Sequence, residues 1–541
     1  MFPSLDLDNS LDNRDYNCPE ENVGEQSQIS GNRTSHQEQQ ISLFSGFERF
    51  EDLCFSSNPS PFQLSQEERE KLRNIHSEIL ELVAPDDDES LPSSLSSFQI
   101  LSNCRINFQG QNSVEVKVSS SDVACLKAGG QSVNDIIRLA GENIIRSRSL
   151  RVDDLIELSQ GPSDDKSEDV VVIIQHLLSS AEKIGEQQFE DASNLLNYCN
   201  GYSSDKGIPL QRLVYYFSAA LRDRIDLEMG VTTSKMISLE IEEAMRNSSS
   251  TSISLHQRLP FCQVMQFTAM QAVIENVAQA KKIHLIDLDI KFGTQCSILI
   301  QDLASRHTCP VEHLKITALG TKSNMIPAET GKQLMSFAES INLSFSFHVV
   351  IVADILDLNE NLFELDPDEV TAVYSPFFLW SMIGQQDRLE CLMRTIRTIN
   401  PCVMVVAETE VNHNSPIFVN RFVEALFFFG AHFDCFGDSM HTDDPVRYAT
   451  ESLLGHGIQN IVAAEGKERT IRQVKNSVWV SFFRQFEMVQ KELSRSSLYQ
   501  AGLVAKKFNC GASCSLDMDG KSLIIGWKGT SVLSLSAWEF L

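Results

Sequence analysis

Paired cysteines at metal spacing are missing from this chain. Its 13 cysteines are scattered through 541 residues, with no CxxC pair and no Cys/His cluster at zinc spacing. Cys510 and Cys514 stand four apart but alone, so no metal site is expected. Scattered reduced thiols fit the cytosol or nucleus. Long apolar runs are missing too: none approaches the ~18 residues of a membrane span. The opening MFPSLDLDNSLDNRD has neither the basic nor the apolar region of a signal peptide, and a soluble intracellular protein is expected. Basic charge is scarce. The formal net charge is −28, and residues 1 to 100 hold 20 acids against 6 bases. Such a chain repels phosphates, and its short basic runs (Lys281-Lys282, Lys506-Lys507, Lys467 to Lys475) read as solvated surface rather than a DNA-binding stripe. The GxSxG nucleophile elbow of hydrolases is absent as well.

What is present falls into three parts. Residues 1 to 60 are rich in Asn, Asp, Glu, Gln and Ser and cannot bury enough surface to offset their ordering entropy, so a disordered acidic tail is expected. Within it SLFSGFERFEDLCF (42 to 55) interleaves Phe with acids, a pattern suited to a partner-binding segment or to inert tail. Residues 61 to 160 read as a variable region with isolated helices, one behind the capping box Ser65/Glu68 and one from Val133 to Ile145, with a strand at Val114 to Val118. A linker follows at 159 to 168. From Val170 leucine-rich helical repeats run to Leu227, broken near Gly201 and Gly207-Ile208-Pro209.

A helix from Phe261 to Ala280 leads into KIHLIDLDIKFGTQCSILIQDLASR (282 to 306). This stretch is a short apolar run, an acidic edge at Asp287 and Asp289, a turn at Gly293-Thr294 and then helical spacing of Ile298, Leu299, Ile300 and Leu303. It is the opening half of a βαβ unit, whose turn lies where parallel sheets bind ligands. Further strands are expected at Leu314 to Leu319, Phe347 to Val352, Ala372 to Tyr374 and Cys402 to Ala407. Helices are expected at Ala328 to Ile341, Gln385 to Ile399, Ile417 to Phe429 and Trp479 to Leu493, with a polar loop beyond Gly430 and a closing hairpin at Leu523 to Trp527 and Val532 to Ser536. The fold class is α/β: a doubly wound, mostly parallel Rossmann-like sheet with an α-helical cap.

The chemistry expected of such a sheet is poorly served. An S-adenosylmethionine methyltransferase needs small residues at the first turn, and here Leu288, Asp289, Ile290, Lys291 and Phe292 precede Gly293. The second strand ends Leu319-Gly320-Thr321 without the carboxylate that would hold a ribose. Ser375-Pro376-Phe377-Phe378 resembles the Asn/Asp-Pro-Pro-aromatic motif of amino-group methyltransferases only in part. Glu408, Glu410, His413 and Asn414 are the best acid/base cluster, though Asn412 to Pro416 also suits a helix entry, the preferred reading. His284 reads as a hydrogen-bonded core histidine, and Asp287 and Asp289 as turn caps or ion-pair partners. No catalytic, cofactor or metal residues are assigned.

The ordered set of motifs resembles the GRAS family of plant transcriptional regulators, over about seventy per cent of the chain from Asp165 to Leu541. Ile283, His284, Leu285, Ile286 and Asp287 are similar to its VHIID motif, followed by Leu288-Asp289-Ile290 and Gly293-Thr294-Gln295-Cys296, where Cys296 replaces a Trp. LLSSAE and PLQRLVYYFSAALRDRI resemble the first leucine repeat. Val373 to Phe378 and ETEVNHNSPIFVNRFVEAL resemble the PFYRE region. Arg469, Thr470, Ile471 and Arg472 stand at the RVER tetrad, and Ser536, Ala537 and Trp538 complete the SAW motif. The resemblance implies leucine repeat I at 165 to 225, a VHIID region at 243 to 318, leucine repeat II at 329 to 361, PFYRE at 371 to 463 and SAW at 466 to 541.

It further implies a methyltransferase-like fold used as a nuclear protein-interaction platform, with the cytoplasm also open, for zinc-finger transcription factors or other GRAS proteins, as a homodimer or heterodimer. Cap helices 170 to 225 would meet a GRAS-type partner, and the outer face of the core with the SAW end would hold a DNA-binding factor. The tail would recruit transcription machinery. The DELLA and TVHYNP motifs are not found in residues 1 to 160, so hormone-triggered degradation is not implied. A methyltransferase and a direct sequence-specific DNA binder are the alternatives.

Overall fold

The computed structural model describes residues 132–149, 166–231, 254–321 and 328–541. The expected acidic tail, the 42 to 55 island, the helix behind Ser65 and the strand at Val114 to Val118 lie outside the described residues. Five strands are mutually parallel: β1 (Lys282–Asp287), β2 (His313–Thr321), β3 (Phe345–Val352), β4 (Val370–Pro376) and β5 (Val403–Thr409). β6 (Met488–Lys491), β7 (Cys514–Asp519), β8 (Ser522–Trp527) and β9 (Thr530–Phe540) extend the sheet antiparallel. The order is β3-β2-β1-β4-β5-β9-β8-β7, with β6 also against β9. The reversal of winding between β1 and β4 is the switch point of a doubly wound sheet.

Alternation along each strand feeds two cores. In β5, Val403, Val405 and Ala407 face one core, while Met404 and Val406 face the other. The second core is closed by α8 (Gln386–Ile399) through Leu389, Leu392, Met393 and Ile396. α11 (Asn476–Gln485) adds Trp479, Phe482 and Phe483. The larger core lies under α5 (Pro260–Asn276), α9 (Phe418–Ser439) and the cap helices α2 (Lys166–Gly185), α3 (Phe189–Asn200) and α4 (Pro209–Glu228). Phe217 of α4 meets Phe422 and Phe429 of α9 edge-on, with ring centroids 5.5 and 6.1 Å apart.

Three elements differ from the sequence-based expectations. α9 passes straight through Gly430 to Ser439, because α1 (Val133–Ser149) packs there: a Cβ on Gly430 would sit 2.3 Å from Asn134 Oδ1. The Asn134 side chain donates to Phe427 O at 3.0 Å and Thr530 Oγ1 at 2.6 Å, so this helix is part of the larger core and not isolated. The expected polar loop contains α10 (Pro445–Val462), whose inward residues include Arg447 and Glu451. Arg212 Nε and Arg447 Nη1 donate to the two oxygens of Glu451 at 2.9 and 2.6 Å, all three side chains buried, and so join α4 to α10. The helix expected through Leu493 ends at Gln485. The chain turns at Glu487, φ 59°, into β6 and then enters α12 (Arg495–Lys506).

Candidate functional site

The place to test is the carboxyl edge of β1, β4 and β5, beside the switch point. β1 delivers Asp287 there fully buried. Its Oδ1 accepts the Asp289 amide at 3.0 Å, and its Oδ2 accepts Gln295 Nε2 at 2.9 Å, with Cys296 Sγ 3.8 Å away. Burial raises the Asp287 carboxyl to about 7, against the lowering effect of those donors. Leu288 and Ile290 turn inward and are 1 % exposed, Leu288 in the second core and Ile290 in the larger one.

The turn is closed on itself. Leu288 N donates to Tyr374 O at 2.9 Å, Gly293 N to Ile290 O at 2.8 Å, and Thr330 Oγ1 to Lys291 O at 2.8 Å. Lys291 and Gly293 both take positive φ, 46° and 66°, and a Cβ on Gly293 would lie 3.0 Å from Leu334 of α7 (Ala328–Ser340). The amides of Leu288, Asp289 and Gly293 are thus spent on the scaffold, and Lys291 Nζ pairs with Asp289 at 3.1 Å.

The expected acid/base cluster is likewise anchored to the scaffold, though Glu408 Oε2 and His413 Nε2 keep no hydrogen-bond partner among the described residues. Glu408, buried at the end of β5, accepts the Leu379 amide at 2.9 Å, and burial lifts its carboxyl to about 8. Glu410 accepts the Asn476 amide at 2.9 Å and is raised to about 7, again by burial. His413 is held at Nδ1 by Gln473 Oε1, 2.7 Å away, and burial drives its imidazole down to about 3. These groups bond to the scaffold and not to one another, so no nucleophile, base and orienting group line up. The helix-entry reading of Asn412 to Pro416 needs one correction. Asn412 Oδ1 accepts the Asn414 amide at 3.2 Å, but α9 begins at Phe418, behind Ile417, without a side-chain cap.

The first and last of the named motifs lie inside, while of the tetrad only Arg469 is buried and Thr470 is exposed. Ile283, His284, Leu285, Ile286 and Asp287 are each 1 % exposed or less. His284 Nε2 is hydrogen-bonded to Thr317 Oγ1 at 2.8 Å, and burial followed by the neighbouring Lys315 lowers its imidazole to about 3. Arg469 Nη1 donates to His413 O at 2.8 Å. Arg472 Nη1 donates to Asn414 Oδ1 at 3.2 Å, and the amides of Thr470 and Ile471 both donate to Asn460 Oδ1. The tetrad thus clamps the loop after β5 against α10. A piece of the same clamp that sequence reading missed is Glu465, which meets Arg224 of α4 at 2.8 Å, Arg421 of α9, and Arg469 at 3.8 Å. Charged residues distant in sequence gave no signal of this convergence.

At the other end, Trp538 is fully buried, donates to Ser536 Oγ at 2.8 Å and lies 4.8 Å from Phe483, while Ala537 pairs with Val405 of β5. Ser536, Ala537 and Trp538 are thus buried strand residues. Surface apolar groups occur elsewhere. Val172, Tyr198, Ile208 and Tyr215 are 43 to 64 % exposed on the cap helices and the turn before α4. An open cleft of about 570 Å³ lies at the amino edge of the sheet, between Val370 and Phe540, away from the switch point. All nine described cysteines are free thiols, and among the described residues no cluster of three or more ligating side chains suits a metal. No described helix is long and apolar enough to cross a membrane.

Comparison with known proteins places this arrangement. The model of the GRAS domain family matches residues 173–539. The relative "DELLA protein 1" of Medicago truncatula is 28 % identical over 393 residues, covering 69 % of this chain and 64 % of its own length. "DELLA protein RGA" of Arabidopsis thaliana is 27 % identical over 381 residues, covering 69 % and 63 %. The chain thus spans about 64 % of the length of these curated relatives. The crystal structure of SCL7 from Oryza sativa superposes with a TM-score of 0.60 at 27 % identity, over 68 % of this chain and 99 % of that one.

Proposed function

We propose that this chain, which belongs to the GRAS domain family, regulates transcription in the plant nucleus as a platform that binds DNA-binding transcription factors. The observation that carries the reading is the filled mouth of the sheet. Leu288 and Ile290, on the turn where a cofactor would approach, are bulky and buried in the two cores, and Asp287, the one carboxylate of β1, is spent on Asp289 and Gln295. A sheet of enzyme-like topology with its reactive edge closed is left with its exterior to work with. The cap helices supply apolar side chains for a second GRAS-type protein, with Tyr198 64 % exposed and Tyr215 43 % exposed. The net charge of −28 favours basic partners such as zinc-finger proteins over DNA itself.

The test is affinity capture from plant nuclear extract with the full chain as bait, since α1 belongs to the core, beside calorimetry with S-adenosylmethionine and a gel shift with duplex DNA. Recovery of transcription factors whose binding weakens with salt supports the platform. Stoichiometric S-adenosylmethionine binding replaces it with a methyltransferase, and a sequence-specific shift by the chain alone replaces it with a DNA binder.

A further inference from the structure

Among the described residues β3 is the outermost parallel strand, paired on one side only, with β2. Edge strands are commonly blunted by Lys, Pro or a bulge, and Phe345–Val352 (FSFHVVIV) has no Lys and no Pro. Its two faces differ. On the odd face, α7 covers Phe347, where a Cβ on Gly331 would sit 2.4 Å from the ring. Beyond it Val349 and Ile351 stand 44 % and 72 % exposed. On the even face, Val350 and Val352 are buried under the connection to β4, and His348 Nδ1 lies 3.6 Å from Glu364. That connection, residues 353 to 370, carries seven acids and no base. Asp357, Glu360 and Asp366 have no ion-pair partner among the described residues, and Leu356 is 51 % exposed between them and the strand.

The geometry points to β3 as a docking edge for an extended segment of a basic partner, one whose residues alternate apolar with Lys or Arg. A strand laid along β3 would place every second side chain beside Val349 and Ile351 and the intervening ones on the acidic side. One periodicity then satisfies both faces, and main-chain hydrogen bonds supply the rest. A second copy of this chain is disfavoured, because β3 against β3 would bring two acidic connections together. Residues 1 to 100, with 20 acids against 6 bases, are disfavoured for the same reason. The inference rests on the platform reading and narrows it to one surface and one partner chemistry.

The experiment uses the full chain and three labelled octapeptides in fluorescence anisotropy: alternating valine and lysine, four valines followed by four lysines, and alternating valine and glutamate. The alternating valine–lysine peptide is expected to bind best, about tenfold or more above the other two, and to weaken as salt rises. Ile351→Lys should lower its affinity about tenfold with unchanged circular dichroism and melting temperature, since the side chain is largely exposed. The triple variant Asp357→Asn, Glu360→Gln, Asp366→Asn should flatten the salt dependence. No binding, equal binding of the block peptide, or indifference to Ile351→Lys overturns the proposal. So does a wild-type dimer in sedimentation that this substitution dissolves. Nuclear partners captured equally by wild type and Ile351→Lys would sink this surface alone, whereas a wild type that captures none would sink the platform itself.

Discussion

β1 and β3 belong to the same sheet two positions apart, and they have opposite characters. Every β1 residue from Ile283 to Asp287 is sealed, and even its ionisable groups, His284 and Asp287, are buried and hydrogen-bonded. β3 instead carries Val349 and Ile351 in the open. The strand with the most recognisable motif is sealed inside the sheet, and the edge strand with no distinctive motif carries exposed apolar side chains. Sequence signatures in this chain mark where the scaffold is over-determined.

That contrast can be broken by truncating both kinds of position. The largest effect is expected at Trp538→Ala, which empties the space between β9 and Phe483 and should cost about 3–5 kcal/mol in urea unfolding. An unfolding midpoint close to wild type would refute the interior role of the SAW tryptophan. Ile283→Ala should follow at about 2–5 kcal/mol, with loss of folded protein on expression as the alternative readout. Next comes the pH dependence of Asp287. Its folded carboxyl, raised to about 7 by burial, supplies stability that is full below its ordinary value near 4 and lost as pH rises to about 7. Asp287→Asn should therefore gain on wild type steadily from pH 4 to 7. Parallel stability curves over that window would remove the assignment. His284 and His413, lowered to about 3, act in the opposite sense: their contribution is present above about 6.5 and is lost as pH falls. Comparing the variant with wild type at each pH cancels them. The smallest effect belongs to Ile351→Ala, within about 0.5 kcal/mol of wild type by thermal melting, and a cost above 2 kcal/mol would mean the residue is covered in solution.

The parallel half of the fold could be read from the sequence because its strands are continuous apolar runs and its turn, Asp287 to Thr294, carries clear punctuation. α10 could not, since the inward face of its first half is Arg447, Thr450 and Glu451 and apolar burial begins only towards Ile458, Ile461 and Val462; a helix start held by buried ion pairs looks like solvent-facing loop. α9 was cut short at Gly430, read as a stop, where the glycine instead makes room for Asn134 nearly three hundred residues earlier in the chain. Met488 to Lys491 passed for helix because a four-residue strand carries too few alternations to show its period. Closure of the first turn was foreseeable from the bulk of Leu288 and Ile290. The clamp on Glu465 was not, because its arginines come from three separate elements.

β9 has a consequence for how the domain is made. It follows every other described strand in the chain, yet it lies in the middle of the sheet, bonded to β5 on one side and to β8 and β6 on the other. During synthesis the first five strands emerge with the outer edge of β5 bare, and it stays bare until Thr530 to Phe540 leave the ribosome. A nascent chain waiting in that state presents an open template for mispairing, and its dependence on chaperones should end only when that last strand is threaded between its neighbours.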